Sequence, residues 1–444
     1  MELVSIHKHT FILLLFLFGF ASVQGQTWTM QQCIDTAQVY NKNLQMSRNY
    51  MAIGEQKMKE AKANLLPKVT ANVDYKYFTN LPYQLLPLST FNASAPEGQF
   101  KEAQFGVPHN INAAVQLSLP IYNPQISGAI KSTEIATEIA QLQLHKSEED
   151  LIYNVSFLYY NAKVLYYQLG FVDTNLINAK KLLKHMELMR NQLMVKGTDV
   201  SKVKLQVDQL TTQKSNIVIK IDQVLNSLKF AMGLPLDRKL ALDKTVIMEE
   251  EVLYNFNATI DMQISSTQRK LISNEISTLK NSKVLPTIQL IASFGTTGLG
   301  YSGQPERFLN FYPIGFGALQ INYPIYDGKA MSRKINQKQL ELQNNTIQHA
   351  LIQSQSELQV QNALLQRNVA KNNLTTNQAH IALANDIYDQ TLLQQKEGVA
   401  SISDILLADN TLREAQQNFV TSMIEYLKAE LEILKLSGNI ALSK

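Results

Sequence analysis

Residues 113–123 read AAVQLSLPIYN and residues 317–327 read GALQINYPIYD. Each is an alternating apolar and polar run that stops at a proline and hands over to a long stretch with helical character. Two further alternating runs precede them. In 69–77, Val69, Ala71, Val73, Tyr75 and Tyr77 fall on one face, with Thr70, Asn72, Asp74 and Lys76 on the other. The 287–295 run alternates less cleanly because Ile291 sits on the wrong face. Period-two patterning of this kind predicts strands with one oily and one wet side. Expected strands cover about 68–78, 110–122, 286–297 and 312–326.

The intervening segments have the opposite character. From Lys329 to Glu397 there is neither Gly nor Pro, which predicts a helix of roughly 100 Å. Leu340, Ile347, Leu351, Leu358, Leu365 and Val369 recur at gaps of seven and four, the spacing of a coiled-coil seam. The matching segment of the first half runs from about Ile130 to Lys196, interrupted by Gly170. Each rod is expected to end at a glycine, Gly197 or Gly398, before a second helix returns. Helical hairpins are thus expected over about 128–232 and 328–437.

The order of helix, Pro, strand, loop, strand, Pro and long helix occurs twice, with Pro67 answering Pro286 and Pro120 answering Pro324. The spacing between partners shortens from 219 to 204 residues, so the first half carries 15 more residues between its strands. This is an internal two-fold repeat, with halves at 26–254 and 255–444. Pro120 and Pro324 lack an N–H for a ladder, so pairing is expected to end at each. Gly128 and Gly328 then supply flexible turns into the helices.

Residues 1–25 read as a secretory signal peptide: His7, Lys8 and His9 precede the apolar run FILLLFLFGFASV, and small residues follow. Elsewhere no apolar run is long enough for a spanning helix, so any membrane crossing is made by strands. About ten residues tilted near 45° would cover the apolar band of an outer-membrane barrel, and Tyr75, Tyr77, Phe78, Tyr122, Phe311, Tyr312, Tyr323 and Tyr326 cluster at strand ends as girdle aromatics do. Four strands cannot close a barrel, so several chains must pool them.

Composition removes other readings. Among 444 residues only 18% are charged and the net charge is +4, with basic residues scattered among acidic ones, which excludes a nucleic-acid surface. The lone Cys33 makes no internal disulfide, and Gln32 stands where a lipidated cysteine needs a small residue. His109, His145, His185, His349 and His380 show no pairing at metal-ligand spacing. GLGYSG (298–303) fits a dinucleotide fingerprint formally, but no helix follows it, so it reads as a glycine-rich surface loop. No nucleophile elbow, phosphate loop or zinc motif occurs; neither enzyme activity, metal nor cofactor is expected.

Several stretches together carry a resemblance: WTMQQCIDTAQVYNKNL (28–44), LLPKV and VLPTI before the first strands, LPIYNP and YPIYDG after the second, MGLPLD (232–237), and GVASISDILLADNTL (398–412). In this order they resemble the TolC-like outer-membrane efflux protein family. The resemblance implies an α+β membrane protein: a trimeric 12-stranded β-barrel with four strands per chain, continued by a periplasmic α-helical barrel of coiled-coil hairpins. It implies an outer-membrane location in a Gram-negative bacterium, and an exit duct for drugs, ions or other substrates. The partners implied are two further copies, outer-membrane lipid, a periplasmic adaptor and an inner-membrane transporter. By the same resemblance Gly197, Thr198, Asp199, Gly398, Val399 and Ala400 form tips that meet the adaptor. Asp404 falls where the family places an aspartate at the periplasmic aperture, and Leu407 where it places a second one. The alternative is a periplasmic coiled-coil adaptor or scaffold, for which a lipoyl-like domain beside a single hairpin would be expected instead.

Overall fold

The computed structural model describes residues 27–90, 96, 98–243, 256, 258–303, 308–438 and 440; the expected leader lies outside them. Its elements are α1 (Met30–Tyr40), α2 (Lys42–Ala63), β1 (Lys68–Tyr77), β2 (Tyr83–Pro87), β3 (Phe100–Gln104), β4 (His109–Tyr122), α3 (Pro124–Asn191), α4 (Gly197–Ala231), α5 (Ile260–Val284), β5 (Thr287–Gly300), β6 (Leu309–Asn322), α6 (Ala330–Lys396) and α7 (Ile402–Leu436). They divide into two compact units that cut across the repeat. One takes in residues 51–140 and 265–349; the other takes in 1–50, 141–264 and 350–444.

The first unit contains an antiparallel sheet of order β1-β4-β5-β6, leaving β1 and β6 as edges. Directly opposed residues share a face, so the register sorts the sheet into rows. Val69, Leu117, Ala292 and Gly317 form one row, and Ala71, Val115, Phe294 and Gly315 the next. On the other face Asp74, Asn112, Thr297 and Tyr312 align; Thr297 donates to Asn112 at 3.0 Å and Asn112 to Asp74 at 3.5 Å. The apolar face stays open: Val73 is 75% and Phe294 73% exposed. A 14-residue strand such as β5 is about 45 Å long and, tilted near 45°, rises about 30 Å, enough for an apolar band of about 25 Å.

Three expectations about the strands are corrected. Pairing does not end at Pro120: β4 continues to Tyr122 through a bulge, which sets Tyr122 rather than Ile121 opposite Ile288. An irregular step absorbs the missing N–H and returns an aromatic side chain to the apolar face. In the second half the ladder ends at Asn322, two residues short of Pro324. Finally, residues 298–300 of the glycine-rich stretch lie inside β5, where a side-chain carbon on Gly298 would press on Phe311 and Ile111. The additional residues of the first half contain a small hairpin, β2 paired with β3, which short non-alternating runs such as YQLLP did not announce.

In the second unit α3 and α4 pair through a seam whose buried positions recur mostly at three-, four- and seven-residue steps. Val155, Tyr159, Ala162, Val172, Leu176 and Ala179 of α3 join Val207, Leu210, Ile217, Ile221, Leu225 and Leu228 of α4 in one core with Cys33, Ile34, Ala37 and Leu44 of α1 and α2. Burial pushes the Cys33 thiol up to about 12, which makes it an inert apolar filler. The seam read in α6 is on the wrong face. Leu340, Ile347, Leu351, Leu358, Leu365 and Val369 are all exposed, while Ala363, Arg367, Ala370, Leu374, Ala384 and Tyr388 are buried. Small side chains let α6 approach α7, where Arg367 pairs with Glu430 at 2.7 Å; the larger residues of the other stripe remain free.

Candidate functional site: the hairpin tips

The two hairpins turn with the same backbone geometry, but not where glycines predict. After α6, Gly398 takes φ 78°, donates to Gln395 O at 3.0 Å, and the next amide returns to Gln394 O at 2.9 Å. After α3 it is Leu193 that takes φ 60°, with bonds of 2.9 Å to Arg190 O from Leu193 and to Met189 O from Met194. These are matching left-handed helix caps. Gly197 is instead the first residue of α4, so it is not the partner of Gly398. The correct equivalence sets Leu193 against Gly398, the N-caps Lys196 and Ser401 against each other, and Asp199 against Asp404.

Asp404 sits in a capping box. Its carboxylate accepts from the Ser401 amide at 2.8 Å and hydroxyl at 2.7 Å, while its own amide donates to Ser401 Oγ at 3.2 Å. The Ser401 hydroxyl, then its amide, hold this exposed carboxyl below its ordinary range. Asp199 lacks such a box because Lys196 offers no hydroxyl; it accepts from Lys202 at 3.5 Å, and Lys202 also reaches Ser403 Oγ at 3.2 Å. Leu407 is 67% and Val399 80% exposed. Thr198 is exposed and Ala400 half-buried.

Beneath the tips lies a separate apolar core: Leu182, Met186, Val200, Val203, Ala384, Tyr388, Ile402, Ile405, Ala408 and Leu412. Helices α4 and α7 meet here, with Lys202 reaching Ser403 and Gln206 reaching Asp409. Between them is a polar cluster that sequence reasoning missed. Asp409 is buried, salt-bridged to Arg413 at 2.8 Å and hydrogen-bonded by Gln206 Nε2. Burial raises the Asp409 carboxyl, opposed by Arg413; burial and then Asp409 push the Tyr388 phenol up to about 12. The available signal was a Gln inside the Val203–Val207–Leu210 seam facing an acid and a base spaced i,i+4.

The strand-to-helix junctions also differ from expectation. Gly128 is no flexible turn but lies inside α3, which starts at Pro124 behind Asn123, whose side chain accepts from the Gln125 amide at 2.9 Å. A side-chain carbon on Gly128 would overlap Thr278 of α5, and Asn274 donates to Gly128 O at 3.0 Å, so this glycine allows two helices to touch. Gly328, in contrast, is left-handed with φ 65°, followed by Lys329 at 66°. Asp327 takes the place of Asn123, accepting from Lys329 and Met331 amides at 2.9 and 2.7 Å.

At one end of the sheet His109 packs between Tyr77 and Phe308, and its Nδ1 lies 2.7 Å from the Tyr75 hydroxyl. With Phe311 they form one aromatic belt, and Tyr122, Tyr323 and Tyr326 lie toward the other end. Tyr312 departs from the expected girdle because its row is the one containing Asp74 and Asn112. Among the described residues no helix is long and apolar enough to cross a membrane.

A family model described as "Outer membrane efflux protein" matches residues 274–439. The chain is 21% identical to outer membrane protein TolC of Escherichia coli K12, over 96% of this chain and 85% of that protein. Among solved structures it is similar to the outer membrane protein VceC of Vibrio cholerae, with a TM-score of 0.75, 12% identity, and 92% and 96% of the two chains covered. The Campylobacter jejuni CmeC outer membrane channel gives a TM-score of 0.73 at 14% identity, over 92% and 85%.

Proposed function

We propose that this chain is a TolC-like outer-membrane efflux protein, an exit duct that passes substrates out of a Gram-negative cell through the outer membrane, a reading supported by its similarity to that family. The observation that carries this reading is the sheet, with one apolar face open, one wet face, and unpaired edges at β1 and β6. Unpaired backbone in lipid costs several kcal/mol per group, and the smallest barrels need about eight strands. Three copies pool twelve strands, β6 of one against β1 of the next, in a homotrimer. The exposed α6 stripe from Leu340 to Val369 gives the copies an apolar surface to bury against one another.

The finer assignments belong to the same proposal. The tips, Gly197, Thr198 and Asp199 with Gly398, Val399 and Ala400, dock a periplasmic adaptor that couples the duct to an inner-membrane transporter. The Asp404 carboxylates form an acidic ring at the periplasmic aperture and Leu407 an apolar one. The repeat halves meet near residue 254, outside the described residues. Membrane fractionation followed by native mass measurement in detergent tests the reading. A trimer extracted from the outer membrane is expected; recovery as a soluble periplasmic species favours the adaptor or scaffold alternative and removes the duct.

A further inference from the structure

The wet face of the sheet is not wet throughout. On β1 and β4 it carries Thr70, Asn72, Asp74 and Lys76, with Asn112, Gln116 and Ser118. On β6 the rows of Asp74, Asn72, Thr70 and Ser118 end in Tyr312, Ile314, Phe316 and Ala318, and the Lys76 row ends in Asn310. Tyr312, Ile314 and Phe316 are 54%, 57% and 56% exposed. Their row neighbours on β5 are small: Thr297, Gly295 and Ser293. A side-chain carbon on Gly295 would overlap the Ala113 carbonyl, so the floor beside Ile314 stays low and the β6 side chains stand above it.

We propose that Ile314 and Phe316, with Tyr312 beside them, are specificity-determining residues of the duct: a lumenal strip that retains organic cations with an apolar body. The inference rests on the exit-duct reading, which makes this face the lumen. Pairing of β6 with another copy uses backbone groups in the plane of the sheet, so the strip stays uncovered when the barrel closes. Aromatic faces attract cations, and the wet face of β5 and β6 carries no basic side chain in these rows. Asp74, in the Tyr312 row, lies three strand spacings away, about 14 Å. The Lys76 amine bridges that carboxylate at 3.6 Å, leaving it half-exposed. A cation with an apolar body thus meets an apolar, partly aromatic strip on β6, with the Lys76-bridged Asp74 carboxylate further along the Tyr312 row.

The test uses the full-length protein in planar bilayers. Cys33 is fully buried, so introduced thiols are read cleanly. A charged, water-borne thiol reagent is expected to lower conductance through Phe316→Cys and leave Val115→Cys, on the opposite face, unchanged. Tetraphenylphosphonium is expected to block the wild type about tenfold more strongly than Ile314→Ser/Phe316→Ser, with tetramethylammonium affecting both alike. Conductance of Phe316→Cys untouched by the reagent, or equal tetraphenylphosphonium block in wild type and double variant, overturns the strip. A wild type that forms no channel at all removes the duct reading, and the strip with it.

Discussion

The buried cluster beneath the tips gives an asymmetric mutational outcome. Asp409 is 4% exposed, whereas the Arg413 side chain is 21% exposed. Removing Arg413 strands a carboxylate inside the protein with a single amide donor. Removing one partner of a buried pair costs about 3–5 kcal/mol. Replacing Asp409 by Asn leaves the guanidinium free to reach water and keeps a polar group against Gln206, at a cost of about 1–2 kcal/mol. At about 2 °C per kcal/mol for a unit of this size, Arg413→Met lowers the helical melting temperature by roughly 6–10 °C and Asp409→Asn by 2–4 °C. The double variant Asp409→Leu/Arg413→Met recovers most of the loss.

The pH dependence separates charge from packing. The Asp409 carboxyl is raised in the folded state, so between its unfolded value of about 3.9 and that higher value the folded protein holds more protons than the unfolded chain. Stability from this group therefore falls as pH rises through the window and then levels off. In Arg413→Met the fall is steeper and extends further, because the opposing cation is gone; in Asp409→Asn it vanishes. Melting followed by circular dichroism in detergent from pH 4 to 9 measures all four proteins. Equal destabilisation by the two single variants, with parallel pH profiles, refutes the reasoning.

Three further outcomes follow from the tips and junctions. Leu193→Gly relieves a left-handed leucine that is 93% exposed and packs on little; it raises stability by about 1 kcal/mol, read as a higher melting temperature, and a decrease contradicts the cap assignment. Gly128→Val overpacks the contact with Thr278 and costs about 1–3 kcal/mol, whereas Gly328→Asn, at an exposed left-handed turn, changes the melting temperature by less than about 2 °C. Ser401→Ala and Asp404→Ala both open the capping box, but the second alone removes the charge; higher conductance and weaker block by multivalent cations in Asp404→Ala only support the aperture ring, and equal behaviour of the two supports a cap.

What was legible in the sequence depended on how much of each element was set by side-chain patterning. The strands were legible because one face is apolar and the other polar, so period two runs through nearly every residue of β1 and β4. The long helices were legible from missing Gly and Pro. The seam of α6 was not, because its buried positions are Ala363, Ala370 and Ala384 beside Arg367, and small or charged residues carry little hydrophobic signal. The larger leucines and isoleucines lie on the exposed face of the helix.

The tips show the same limit at the level of backbone. Glycine marks a left-handed position only where the chain lets glycine occupy it. In the second hairpin Gly398 does so; in the first, Leu193 takes the strained position and Gly197 falls inside the next helix. Aligning the glycines shifts the first tip against the second, and conceals that Asp199 and Asp404 hold equivalent positions with different surroundings. Asp404 is held by Ser401, whereas Asp199 faces Lys202, itself the counterpart of Leu407. Each acid that the repeat places at a tip is thus held differently, Asp404 by hydrogen bonds that preserve its charge and Asp199 by a cation that offsets it. If a single acidic ring forms at the aperture, Asp404 supplies it.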